Sequence, residues 1–148
     1  MPHLVILYTA NLDAPAEQGG VDVNQLCRRL ADVMLAQRDE FGAPVFPVGG
    51  VRVLAYPAPR YALADGGAAG RAAGVPAEYA FVYLNLRMAR GRSNSVQQAV
   101  GRALEQACQS FFADQFSFRP IGVTLQVDEG PEVFDAKNSS LHPLFRKT

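Results

Sequence analysis

Apolar positions follow strand spacing in four stretches of the chain and helical spacing in two. His3-Leu4-Val5-Ile6-Leu7-Tyr8 is short, apolar and rich in β-formers, which predicts a strand buried on both faces or nearly so. Asn11, Asp13, Pro15 and Gly19-Gly20 then break the pattern and make a loop of residues 10–20. From Asp22 the period becomes helical. Val23, Leu26, Cys27, Leu30, Val33 and Met34 recur three and four apart, while Arg28, Arg29, Asp32 and Arg38 fall off the stripe. Asp22 with Gln25 three residues on resembles a capping box and sets the start. Gly42, Pro44, Pro47 and Gly49-Gly50 end the helix and feed a second strand, Val51 to Tyr56, whose one charge is Arg52.

The second half repeats the order. Tyr79 to Met88 alternates, with Phe81, Tyr83, Asn85 and Arg87 on one side and Ala80, Val82, Leu84, Leu86 and Met88 on the other. A helix opens after Gly91-Arg92-Ser93, capped by Ser93 or by a box from Ser95 to Gln98, and its stripe runs from Val96 to Phe112. Ile121 to Val127 is the fourth long strand. Strand, helix, strand therefore occurs twice, over residues 1–56 and 79–127. Each unit predicts a parallel pair with a right-handed crossover. Together they predict an α/β fold (α+β in some schemes) in which one four-stranded mixed sheet carries both helices on one face. The other face also holds apolar residues, and a sheet bared to water should alternate more cleanly. An oligomer that covers this face is expected.

Two segments stand outside the repeat. Residues 57–78 form a loop punctuated by Pro57, Pro59, Gly66, Gly67, Gly70, Gly74 and Pro76, and a loop of that length is often functional. Residues 128–148 form a C-terminal tail. Val133-Phe134 reads as a short edge strand there, and Leu141, Leu144 and Phe145 as anchors on a neighbouring subunit.

At 148 residues the chain is read as a single domain, residues 1–148. Fourteen basic residues balance fourteen acidic ones without any like-charge run, so neither nucleic acid nor an anionic membrane is an expected partner. No stretch approaches the ~18 apolar residues of a membrane span, and the first residues lack the basic flank of a secretory signal. A cytoplasmic protein is expected. Cys27 and Cys108 fall in helical stripes, where they read as small core hydrophobes. His3 and His142 have no second ligand at metal spacing, so no metal site is expected.

The chemistry begins with Pro2. If Met1 is removed, the ring nitrogen of Pro2 changes from an amide into a secondary amine able to carry protons. Apolar burial and nearby cations would both disfavour the charged amine, which brings a general base toward its useful range. Two arginines suit the same pocket. Arg92 sits where helix N–H groups favour an anion, and Arg52 is a charge within an apolar strand that needs a partner or a ligand. A guanidinium fork donates two parallel hydrogen bonds to a planar carboxylate. Only the first half opens with a proline, and only the second has an arginine after its first strand, so one site per chain follows.

These features together resemble the tautomerase superfamily. The opening Met1-Pro2-His3, the Gly50-Val51-Arg52 stretch, Tyr79-Ala80-Phe81-Val82 followed by Gly91-Arg92-Ser93, and the terminal Asn138-Ser139-Ser140-Leu141-His142-Pro143-Leu144-Phe145 are similar to 5-carboxymethyl-2-hydroxymuconate isomerases. The resemblance implies a homotrimer of tautomerase-fold subunits and a cofactor-free isomerase of aromatic-acid breakdown. It implies Pro2 as the acid-base group, Arg92 as a catalytic and substrate-binding residue, and Arg52 as a second substrate-binding residue. The substrate would be a carboxylated dienol, converted by a 1,3-proton shift into the unsaturated 2-keto acid. The stretch from Pro57 to Pro76 departs from the family pattern in its length and its glycine and alanine content. The same element order also fits a non-catalytic, ferredoxin-like module that binds a small effector, since fold does not fix function.

Overall fold

A computed structural model describes residues 2–75 and 78–146 of the protein. Met1, whose removal the reading of Pro2 requires, lies outside the described residues, as does Pro76 at the end of the long loop. The regular elements in chain order are β1 His3–Thr9, α1 Val23–Ala36, β2 Arg52–Ala58, α2 Ala68–Ala72, β3 Ala80–Met88, α3 Asn94–Phe111, α4 Ala113–Phe118 and β4 Ile121–Glu129.

The four strands form one sheet in the order β2-β1-β3-β4. β1 runs parallel to β2, β3 runs parallel to β4, and the two units meet antiparallel at β1 and β3. This is the duplicated strand-helix-strand architecture that the sequence predicts. Because side chains alternate across a strand, Leu4 and Ile6 of β1 and Val82, Leu84 and Leu86 of β3 share one face and are fully buried. Leu26, Leu30 and Met34 of α1 and Val96, Val100 and Leu104 of α3 close over that face. The helix starts follow from local chemistry. The Asp22 carboxylate accepts from the Gln25 backbone N–H at 3.0 Å and the Ser93 hydroxyl from that of Val96 at 3.3 Å, each satisfying a donor the first turn leaves free.

The opposite face is open. Leu7, Leu54 and Tyr56 stand about half exposed there, flanked by cross-strand bonds from Tyr83 Oη to Gln126 Oε1 (2.8 Å) and from Asn85 Nδ2 to Asp128 Oδ2 (2.7 Å).

At the end of the sheet where β3 begins, Asn11 Nδ2 donates to the Tyr79 carbonyl at 2.8 Å. The Tyr79 hydroxyl accepts from the Gly70 N–H at 2.9 Å, so the loop after β2 is tied back by the short helix α2. The loop is thus less bare than its composition predicts.

One further expectation is corrected. Val133-Phe134 is not an edge strand: both residues lie in irregular chain, pair with no strand and are largely exposed. The stripe from Val96 to Phe112 lies on α3 and its C-cap residue Phe112, after which α4 starts anew. α4 leads to Arg119, which is buried. Its Nη2 donates to the Gly19 carbonyl at 2.9 Å, and its guanidinium lies 5.2 Å from the Phe118 ring centre.

Candidate active site

Register decides which residues share an end of the sheet. His3 pairs with Arg52 of β2 and with Arg87 of β3, so β1 and β2 begin where β3 and β4 finish. Pro2, immediately before β1, is buried at that end. Arg92 follows β3 directly and returns to the same end.

The three sequence-selected residues meet on one strip of chain, residues 45–52. Val45 and Phe46 are buried, and Val48–Gly50 form a tight 3₁₀ turn that opens into β2. A Cβ added to Gly50 would stand 3.8 Å from Pro2 Cδ and 2.9 Å from Pro47 Cγ, so two proline rings enclose this glycine. Arg52 Nη1 donates to the Gly49 carbonyl at 2.8 Å. Arg92 donates to the Val45 carbonyl from Nη2 at 2.9 Å and from Nε at 3.3 Å, and to the Ala89 carbonyl from Nη1 at 3.1 Å. Its guanidinium carbon also lies 5.4 Å from the Phe46 ring centre.

These contacts give Arg92 a second occupation. A guanidinium has five N–H donors. In Arg92 three of them clip the strip before β2 to the turn after β3, and two have no partner among the described residues. Arg52 spends fewer donors on the backbone.

At the start of α3 an acid of the chain itself meets the two serines. The Glu40 carboxylate accepts from the Ser93 hydroxyl and, at 3.0 Å, from the Ser95 hydroxyl. The Ser93 bond above all holds the Glu40 carboxyl below its usual value. A carboxylate is favoured at a helix N-terminus, and here the chain supplies its own. Sequence reading missed Glu40 because it lies 53 positions from Ser93.

The C-terminal tail reaches the same end. His142–Phe145 form a 3₁₀ turn seated on the strip: a Cβ at Gly49 would lie 2.9 Å from His142 Nδ1 and 3.1 Å from Phe145 Cδ2. Any side chain there would push the tail off. Leu141 and Leu144 remain exposed.

A cavity of about 470 Å³ opens between the tail and the open sheet face, with Arg52, His3 and Arg87 on its floor. A larger hollow, about 640 Å³, lies between α3 and β4, and its lining includes none of Pro2, Arg52 or Arg92. Size is therefore a poor guide here, and chemistry favours the smaller space. Partial desolvation, with Arg52 and Arg87 nearby, lowers His3 below the usual imidazole value. The cysteines are no rivals as nucleophiles. Burial pushes the Cys108 thiol up to about 11 and raises Cys27 as well, so both stay protonated at neutral pH. Among the described residues no three His, Cys, Asp or Glu side chains cluster as metal ligands.

Residues 2–145 match the protein family described as 5-carboxymethyl-2-hydroxymuconate isomerase. The chain is 23% identical over 146 residues to the 5-carboxymethyl-2-hydroxymuconate Delta-isomerase of Escherichia coli, covering 99% of this chain and 100% of that protein. A crystal structure of a 5-carboxymethyl-2-hydroxymuconate delta-isomerase superposes with a TM-score of 0.92 at 54% identity, over 100% of this chain and 95% of that one. A 5-carboxymethyl-2-hydroxymuconate isomerase from Deinococcus radiodurans R1 superposes with a TM-score of 0.78 at 33% identity, over 99% and 95% of the two chains.

Proposed function

The chain belongs to the 5-carboxymethyl-2-hydroxymuconate isomerase family and is an isomerase of tautomerase fold; from that premise we propose that it ketonises a 5-carboxymethyl-2-hydroxymuconate-type acid with Pro2 as acid and base. The observation that carries this reading is the burial of Pro2 against the same strip that holds Arg52 and Arg92.

Once Met1 is gone, the Pro2 nitrogen is a secondary amine. As free base it takes the proton from the 2-hydroxyl of the dienol, so the O–H bond breaks and an N–H bond forms. The electron pair left on oxygen forms the carbonyl, the C2–C3 double bond opens, and C3 collects the same proton from Pro2. This 1,3-proton shift needs no oxidant, reductant or cofactor. Arg92 and Arg52 hold the substrate carboxylates and stabilise the enolate charge that develops on oxygen, the kind of electrostatic help that counts most in a water-excluded site. Such an enzyme belongs to the breakdown of aromatic acids in the cytoplasm. No helix among the described residues is long and apolar enough to cross a membrane. A non-catalytic binding module of the same element order is not favoured, because the relatives the chain matches are isomerases.

The test separates two forms of one protein. Met-free and Met-retained preparations, verified by mass spectrometry, are mixed with 2-hydroxymuconates and followed by ultraviolet absorbance. The Met-free form should turn over, with activity rising through one ionisation as the pH frees the amine. The Met-retained form carries an amide at Pro2 and should be inactive while still folded. Pro2→Ala leaves a primary amine nearby and should keep partial activity. Equal rates for the two forms would remove Pro2 from the mechanism.

A further inference from the structure

One rung of the sheet carries three basic residues side by side. Arg52 of β2, His3 of β1 and Arg87 of β3 are in register, and the rung ends at Asp128 of β4. In-register neighbours point to the same face, here the open one, so the Arg52 and Arg87 guanidiniums flank the His3 imidazole. Three acids lie near it, Asp128 in the rung itself and Glu132 and Asp135 in the cavity lining. Asp128 accepts from Asn85 at 2.7 Å, and Asp135 of the tail pairs with Lys137. Among the described residues the ion pairs are Arg28 with Asp32 and Lys137 with Asp135, so neither Arg52 nor Arg87 has one.

The surroundings are shaped to hold this charge. Chain from Glu132 to Ser139 roofs the rung and encloses the cavity of about 470 Å³. Arg87 crosses Gly130, where a Cβ would stand only 3.2 Å from its Nη2, so a glycine lets the guanidinium lie flat at the cavity edge. His3, lowered by partial desolvation and by the two arginines, supplies an uncharged imidazole between them at neutral pH. Arg52 links this cavity to the Pro2 site, because it lines the one and binds the Gly49 carbonyl beside the other.

We infer that the Arg52–His3–Arg87 cavity is a carboxylate-binding site, in which Arg87 takes the carboxylate of a multiply charged substrate that lies farthest from Pro2. The identity of that ligand as substrate rests on the function proposed above; the binding itself does not. The paired N–H groups of a guanidinium match a carboxylate in geometry as well as charge, so an acid with two or more carboxylates is selected over one with a single carboxylate.

Adipate and hexanoate, which share a six-carbon chain and differ by one carboxylate, are the probes for titration calorimetry. Wild type should bind adipate more tightly than hexanoate. Arg87→Gln should weaken adipate about tenfold or more, as expected for loss of a charge-assisted contact, and Arg87→Lys should recover part of it. In steady-state assays Arg87→Gln should raise KM for a 2-hydroxymuconate far more than it lowers kcat. Adipate affinity that is equal in wild type and Arg87→Gln, or absent from both, overturns the site. Arg87-dependent adipate binding without any turnover would instead sink the proposed reaction and leave the site standing. Turnover with Arg87-independent binding would do the reverse.

Discussion

Arg92 and Arg52 look alike in the sequence, each an arginine within two residues of a glycine near the end of a strand, yet the structure gives them different burdens. Arg52 donates from one nitrogen to the nearby Gly49 and Val51 carbonyls, at 2.8 and 3.5 Å, and faces the cavity. Arg92 satisfies the carbonyl of buried Val45 and stacks on buried Phe46. Truncating it leaves that carbonyl short of a donor, which costs on the order of 1–3 kcal/mol. Arg92→Ala should therefore lower both turnover and the midpoint of urea unfolding. Arg52→Ala should lower turnover with a much smaller shift in that midpoint. Equal shifts in the two variants would show that the Val45 clip contributes nothing. Sequence reading picked out both arginines by residue type and position. It had no access to the Arg92 clip, because the partners are 47 positions apart and only the closed sheet brings them together.

At the scale of elements, what was legible was local. Periodicity gave the four strands and two main helices, and Asp22 and Ser93 announced the helix starts. Where the reading stopped, a tertiary contact had taken over. Glu40, an unremarked acid after α1, crosses to the start of α3 and joins Ser93 and Ser95 there. Val133-Phe134 has strand composition but finds no partner strand. The Glu40 contact has a pH signature. The folded carboxyl is lowered, chiefly by the Ser93 hydrogen bond, so its stabilisation is present above the usual glutamate value of 4.5 and is lost as the pH falls below it. Between about pH 6 and about pH 3 the thermal unfolding midpoint of wild type should fall more steeply than that of Glu40→Gln. Parallel slopes would mean the seat at α3 is not selective for charge.

At the scale of the molecule, the open face and the tail carry apolar side chains that a lone chain leaves in water: Leu7, Leu54, Tyr56, Phe134 and Leu144. Such exposure marks an association surface, and closed cyclic assemblies use one patch on every copy. We propose the homotrimer implied by the family resemblance, with the open faces turned inward and the exposed part of the tail against a neighbour. Light scattering at micromolar concentration should give three times the chain mass, and a stable monomer would refute it. The internal duplication has a different consequence. The end of the sheet opposite Pro2 is built alike, but Tyr79 stands there in mid-chain, and the contact corresponding to an arginine clip is a single bond from Asn11. Only a chain terminus can expose a proline nitrogen. The join between the two halves therefore leaves Pro2 as the position where such an amine can form, which is why one site per chain is expected.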